Sequence, residues 1–303
     1  MSEVGNFVGV EASVSSLRAV CLDSAGAIIA TETAGFESSE NTLPQISSFV
    51  SSLKSKFRSF DRLGVAVPGL IRTASGRVAY SAHIPEHALL DLGEEIENGT
   101  GIKTVVENDA NAAAYGELKL GAGRGSSNLF YATLGVGVGG ALILDNRIWR
   151  GVSGFAGEFG YVAVNSDGMR LEDVASAANI VRRTRTRFNR DSTSSLNKLD
   201  EEQISIHKIV EAAENGDDFA SLMLERTGSY VGTAIATVIN LLNIEKVVIG
   251  GEIMHAGHLV LDAVIRRARE LSFGPSFENA EIVEGELGAD AAAIGAALIA
   301  NDA

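Results

Sequence analysis

The sequence predicts an α/β protein organised as two domains, and three observations carry that expectation. Its 303 residues are 46% apolar and 21% charged, enough to bury one large core or two ordinary ones and unlike a disordered, collagenous or coiled-coil chain. Strand-like and helix-like runs alternate, punctuated by 33 glycines and only 4 prolines, as in sheets covered by helices. A unit of three short strands also occurs twice.

The first copy occupies residues 6–33. FVGVEA, a polar loop, LRAVCLD, a turn at Ser24-Ala25-Gly26 and AIIATET form two hairpins in series. The second copy lies at 128–150, as NLFYATL, a glycine loop, ALILD, a turn at Asp145-Asn146 and RIWR. Asp23 follows Phe7, and Asp145 follows Phe130, at nearly equal spacing, which points to an internal duplication. Between the copies, LPQISSFVSSLKSKF (43–57) carries apolar residues at 43, 46, 49, 50, 53 and 57, the period of a helix. LGVAVPGL (63–70) reads as a buried strand ended by the Pro68-Gly69 turn, and a helix and strand follow at about 90–98 and 102–107.

Beyond the second copy, 171–190 and 205–242 show helical periodicity, and 191–204 reads as a surface connection. KVVIGGEIM (246–254) is a strand entering a glycine turn, and a helix follows at about 258–271. The tail ADAAAIGAALIA (289–300) is small enough for its backbone to approach a neighbour closely. The expected domains are 1–110 with 289–303, and 111–288, with a ligand cleft between them.

Acidic residues number 39 against 25 basic ones, a formal net charge of −14. That disfavours broad contact with nucleic acid or an anionic membrane. Cys21 is the single cysteine, which excludes an intramolecular disulfide and a multi-thiolate metal site. The N-terminus lacks a secretory pattern, and the longest apolar stretch, near 230–242, is interrupted by Thr233, Thr237 and Asn240. The expectation is a cytoplasmic protein.

Three segments carry candidate chemistry. Gly135-Val136-Gly137-Val138-Gly139-Gly140 presents backbone N–H groups suited to phosphate. It matches G-x-G-x-x-G, but a dinucleotide fingerprint must open a helix, and ALILDNRIW continues as strand, turn and strand. A tight hairpin that merely needs glycine is the alternative. Glu107-Asn108-Asp109-Ala110-Asn111 ends a β-branched strand and starts a small-residue helix. Asn108 or Asp109 can cap that helix, and an aspartate there can also take a proton from a substrate hydroxyl. Glu158 sits among glycines and aromatics in GFAGEFGY, either as a solvated loop carboxylate or as an acceptor for sugar hydroxyls.

VENDANAAAYGELKLGAG (106–123), LGVGVGG (134–140), RGVSGFAGEFG (150–160), VVIGGEIM (247–254) and AAIGAALIA (292–300) resemble the ROK family of sugar kinases and sugar-responsive repressors. The resemblance implies the actin/hexokinase-like fold, two RNase H-like domains closing over a sugar and ATP. It makes Asp109 the counterpart of the catalytic base, and Asn108, Glu158, Glu172 and Gly69 counterparts of sugar-side positions. Gly135, Gly137 and Gly139 fall on the second phosphate loop and Gly250-Gly251 on the adenosine side, with Mg²⁺ near Glu11. A homodimer is implied as well.

The sequence also departs from the family. The first phosphate loop, D-x-G-G-T in active members, is Glu11-Ala12-Ser13-Val14-Ser15 here. Val136 replaces a threonine, and Glu252 follows Gly250-Gly251 where a small residue is usual. Tyr161 stands where the zinc-motif histidine belongs, at a sugar-contact position, and the cysteine segment is missing between Val164 and Leu171, so no zinc is expected. His83/His87 and His255/His258 have metal-like spacings but lack a full ligand set. Arg182, Arg183, Arg185, Arg187 and Arg190 read first as a solvated helix face paired with nearby acids, and second as a meeting point for an anionic partner. The chain starts its first strand by about Asn6, leaving no room for the repressors' helix-turn-helix, so no direct nucleic-acid binding is expected. Two functions follow from this reading: an ATP-dependent hexose kinase, or a non-catalytic sugar sensor with an eroded nucleotide side.

Overall fold

In the computed structural model, which describes residues 6–57, 60–72 and 75–303, the first meander forms β1 (Phe7–Ala12), β2 (Ser16–Leu22) and β3 (Ile28–Gly35). β1 and β2 pair antiparallel from Phe7↔Leu22 to Ala12↔Leu17, and β3 pairs antiparallel with β2. The helical period at 43–57 is realised as α1 (Thr42–Lys56), which buries Ile46, Phe49, Val50 and Leu53. β4 (Arg62–Val67) then runs parallel to β1. A small hairpin of β5 (Leu70–Ile71) and β6 (Val78–Tyr80) precedes α2 (Leu92–Thr100), whose N-terminus is capped by the Asp91 carboxylate. β7 (Lys103–Asn108) pairs parallel with β4 and passes directly into α3 (Asp109–Leu120). The first sheet therefore has the order β3-β2-β1-β4-β7.

The second sheet repeats that order. β8 (Leu129–Leu134), β9 (Val138–Leu144) and β10 (Arg147–Ile148) form the second meander. Asp145 and Asn146 both take the left-handed conformation in its turn, which their short polar side chains tolerate. α4 (Glu172–Ala175), α5 (Ala177–Arg185), α6 (Ile206–Glu214) and α7 (Asp218–Leu242) come next. β11 (Lys246–Gly250) pairs parallel with β8. After α8 (His258–Leu271) and α9 (Gly274–Glu278), β12 (Glu281–Glu284) pairs parallel with β11. The order β10-β9-β8-β11-β12 is third, second, first, fourth, fifth, as in the first sheet, so the duplication extends to two strands beyond each meander.

The chain forms two compact units. One holds the described residues up to Ser127 with Ala141–Gly157 and Glu286–Ala303, and the other holds Asn128–Gly140 and Glu158–Gly285. In the first, both sheet faces are covered. Val8, Val10, Leu63 and Val65 pack with Ile46, Leu53 and Ile96 on one side, and Val20 and Leu22 pack with Ala293, Ile294 and Ala297 of α10 (Ala291–Asp302) on the other. α10 lies flat on the sheet because Gly9 and Gly64 stand beneath it. A Cβ at either glycine would overlap the carbonyl oxygen of Ala293 or Ala296.

Several expectations need correction. Gly139 and Gly140 lie in β9, which starts at Val138, so the glycine loop is shorter than its sequence motif. Residues 171–190 are not one helix. Ser176 adopts an extended backbone between α4 and α5, and α5 stops at Arg185. The 191–204 connection does run over the surface as expected, and it is anchored there, with Leu196 and Ile204 buried and the Asp217 carboxylate accepting from the Ser194 and Ser195 hydroxyls at 2.9 and 2.7 Å. Arg182, Arg183, Arg185 and Arg187 are not paired with acids: none of them makes an ion pair among the described residues. The Arg190 side chain lies outside the described residues. No described helix is long and apolar enough to cross a membrane.

Candidate functional site

In the first unit the polar cluster sits where β7 hands over to α3. Asn108 is the N-cap: its Oδ1 accepts from the Asn111 amide at 3.0 Å, satisfying one of the helix's free donors. Its Nδ2 donates to the Gly69 carbonyl and to Asp109 Oδ1, both at 3.0 Å. Gly69, in the turn after β4, thus contributes a carbonyl to the cluster. Asp109 Oδ1 also accepts from the Ala110 amide at 2.8 Å.

Glu107 sits behind this pair, and the sequence reading gave it no role. Its Oε1 accepts from the Asn108 amide and Asn111 Nδ2, both at 3.0 Å, and its Oε2 accepts from Arg150 Nε at 3.0 Å and from Arg150 Nη2. The carboxylate is buried, so the two-pronged guanidinium both pairs and desolvates it. Arg150 was missed because it stands 43 residues away in the chain, with no local spacing to link the two.

Asp109 is raised from 3.8 to about 6, first by burial and against its hydrogen bonds and the nearby charge of His83. Glu11, at the end of β1, is raised from 4.5 to about 7 by burial and then by Asp109, with Arg18 opposing. The charge of Asp109 thus forms part of the environment of Glu11 and favours its protonation. His83, first read as half of a metal pair, belongs to the environment of Asp109. Its sequence partner His87 is buried with neither ring nitrogen hydrogen-bonded, and burial lowers it to about 4. Among the described residues no group of three or more His, Cys, Asp or Glu could hold a metal ion.

The loop after β1 is closed on itself. The Ser13 amide donates to the Ser16 carbonyl at 2.9 Å, and the Ser13 hydroxyl reaches the Ser16 carbonyl and hydroxyl at 3.0 and 2.9 Å.

The second unit holds the remaining candidates. In the loop between β8 and β9, the Gly135 amide donates to the Gly137 carbonyl at 2.9 Å. The position of a Cβ at Gly135 has only Glu252 Cγ, at 3.8 Å, within contact range. Gly139 follows within β9. Glu172, on α4, accepts from the Val138 amide at 3.2 Å and packs against Gly160, so the Glu158–Tyr161 turn and Glu172 lie side by side. Glu158 is exposed, and Tyr161 is 62% exposed with the Arg170 guanidinium 5.0 Å from its ring centre. Gly250 and Gly251 have a packing reason to be glycine. A Cβ on Gly250 would overlap the Tyr131 hydroxyl, and one on Gly251, at φ 96°, would overlap the Leu134 backbone.

The ROK family model matches residues 7–303. The chain belongs to the ROK family. It is 34% identical over 245 residues to a glucokinase of Halalkalibacterium halodurans, spanning 77% of this chain and 74% of that one. A Streptomyces griseus ROK glucokinase, crystallised with glucose and AMPPNP, matches with a TM-score of 0.89 at 28% identity, over 99% of this chain and 100% of that one. A ROK transcriptional regulator, a homologue of E. coli MLC, matches with a TM-score of 0.86 at 27% identity, over 99% of this chain and 79% of that one. The actin/hexokinase-like fold expected from the resemblance holds, and the protein is a sugar kinase-like ROK member.

Proposed function

We propose that this ROK protein binds a hexose or related sugar and transfers the γ-phosphate of ATP to one of its hydroxyls, with Asp109 as the base. The observation that carries the reading is Asp109 itself, fixed at the head of α3 by Asn108 and with burial holding its proton affinity near neutrality. Asn108 and Ala110 both donate to Oδ1, which leaves Oδ2 for the substrate. In the step, the sugar O–H proton passes to Oδ2 and the sugar oxygen bonds to the γ-phosphorus. The bond from that phosphorus to the bridging oxygen breaks, and ADP leaves.

Glu158, Glu172 and Tyr161 would meet sugar hydroxyls, with Asn108 and Gly69 holding the reactive end. The bare Gly135–Gly137 backbone suits phosphate oxygens, with Gly139, Gly250 and Gly251 shaping the nucleotide side. The oxygen donors of Glu11, a carboxylate whose charge Asp109 disfavours, fit a hard divalent cation, and Glu11 would hold it. Mg²⁺ there supplies charge neutralisation for the transferred phosphate. A homodimer belongs to the same reading. The names of the glucokinase relatives support it.

A second reading, a sugar sensor without turnover, is favoured by one feature: the Ser13–Ser16 turn keeps its hydroxyls to itself. Calorimetry with ATP·Mg²⁺ and a panel of hexoses, beside a coupled phosphorylation assay, separates the two. We expect binding of both ligands and turnover. Asp109→Asn should lower turnover by about 10²–10⁴-fold while sugar affinity holds within a few-fold. Sugar binding without nucleotide binding selects the sensor, and binding of neither overturns both readings.

A further inference from the structure

The second unit contains a cavity of about 670 Å³ that no part of the proposed reaction uses. Such a volume is in the range of small-molecule sites. Its charge is unusual for this chain. Arg182 and Arg183 of α5, Arg187 just beyond it, Arg226 of α7, and Arg266 and Arg267 of α8 all line it. Only two carboxylates do so, Asp173 and Glu270, and both are already engaged. Asp173 pairs with Arg170 at 3.1 Å and Glu270 pairs with Arg267 at 2.9 Å. The other five guanidinium groups make no ion pair among the described residues.

Scarcity of acids does not explain this, because the chain carries 39 acidic residues against 25 basic ones. Three separate helical segments instead bring like charges to one concavity, which is costly unless something neutralises them. The side chains are also partly held in place. Arg183 donates from Nη2 to the Thr227 hydroxyl at 2.7 Å and lies 5.7 Å from the Tyr230 ring centre, and Arg267 Nε donates to Thr233 at 3.2 Å. The Nε of Arg183 is buried without a partner. Burial, followed by the positive charges of Arg187, Arg226 and Arg182 and against the effect of Tyr230, brings the Arg183 guanidinium down to about 10. An anion in the cavity would reverse the repulsive part of that shift.

We infer that this arginine-lined cavity binds a small molecule carrying two or more phosphoryl groups. Planar guanidinium forks match phosphate oxygens in pairs, and several convergent forks select for more than one phosphoryl group. The Ser229 hydroxyl in the same wall donates to the Glu225 carbonyl at 3.0 Å, so its oxygen can accept from the non-phosphate part of the ligand. None of the lining residues is a candidate for sugar or nucleotide, so the inference stands apart from the proposed kinase reaction.

The test is calorimetry on the full chain with inorganic pyrophosphate, inorganic tripolyphosphate and a hexose bisphosphate, with sulfate as the single-anion control. We expect at least one of the three probes to bind about tenfold or more tighter than sulfate. Preference for pyrophosphate or tripolyphosphate identifies a ligand with adjacent phosphoryl groups, and preference for the bisphosphate identifies one with separated groups. Arg226→Gln with Arg266→Gln should weaken binding by about 100-fold. Because it relieves repulsion, the double variant should melt no lower than wild type without ligand. Asp109→Asn should bind the probe as wild type does, which keeps the result distinct from failure of the kinase reading. Absence of binding by wild type overturns the inference, as does unchanged binding by the double variant. So does a fall in oligomeric state of that variant on light scattering, since the arginines would then be holding the acidic surface of a second copy.

Discussion

Both repeats join their first two strands through a loop of the same length, Ser13–Ser15 in one and Gly135–Gly137 in the other. Each loop has a backbone hydrogen bond of 2.9 Å from its first residue. The resemblance stops there. In the first repeat the Ser13 hydroxyl fills the turn and bonds back to Ser16. In the second no side chain fills the turn: Val136 is 54% exposed, and Gly135 meets little beyond the stem of Glu252. The same topological position can thus hold a closed turn or an open backbone, and the difference lies in a few Cβ and hydroxyl atoms rather than in the fold. A nucleotide held by this protein would depend mainly on the second loop.

The largest expected effect tests whether the corner around Asp109 in the first repeat is sound despite its altered loop. Arg150→Ala strips the buried Glu107 of its cation and should cost about 3 kcal/mol in denaturant unfolding, with turnover falling as Asn108 and Asp109 lose their backing. A stability change under about 1 kcal/mol would show that the pair is a surface contact and that the corner is held some other way.

The next effect is on pH. Asp109 must be ionised to act as base, so turnover should rise through pH 6 and fall about tenfold per unit well below it. Stability should move the other way. Both Asp109 and Glu11 have raised folded-state values, so the native state binds more protons than the unfolded chain. Their contribution is full below about pH 4 and is lost as pH climbs through 6 and 7. Glu11→Gln should flatten the melting temperature between pH 5 and 8, roughly the window of those values. A wild-type melting profile that already rises across that window would break the assignment.

Smaller effects address the loops directly. Ser13→Gly with Val14→Gly reopens the first loop and should raise ATP·Mg²⁺ affinity about fivefold in calorimetry, while costing about 1 kcal/mol of stability through added backbone freedom. Unchanged affinity would mean that the closed turn is not what limits nucleotide binding. The smallest change, Val136→Thr, adds one hydroxyl on an exposed loop. It should strengthen nucleotide binding by about 0.5–1.5 kcal/mol with no change in melting temperature.

Much of the fold was legible because its signals are local. The apolar period of 43–57 became α1, the Asp145-Asn146 turn took the left-handed conformation that hairpin needs, and α8 spans the expected residues. The small-residue tail was read as a close packer, and Gly9 and Gly64 beneath α10 give the reason. The candidate site was legible where one motif holds it, as with Asn108 and Asp109. It was illegible where partners are distant: Arg150 to Glu107, His83 to Asp109, and the arginines of α5 to those of α7 and α8.

By itself, then, the sequence determined the class of fold, the duplication, the family and the segment in which we propose the base. These rest on periodicity, turn chemistry and contiguous motifs, all of which are properties of neighbours in the chain. Only the tertiary structure decided that Asn108 spends its side chain on a cap and on Asp109, and that a buried ion pair stands behind them. It alone showed that Arg182, Arg183 and Arg187 of the basic run, expected as a paired surface, line a cavity. Burial and long-range charge set those outcomes, and both depend on which distant residues the fold brings together.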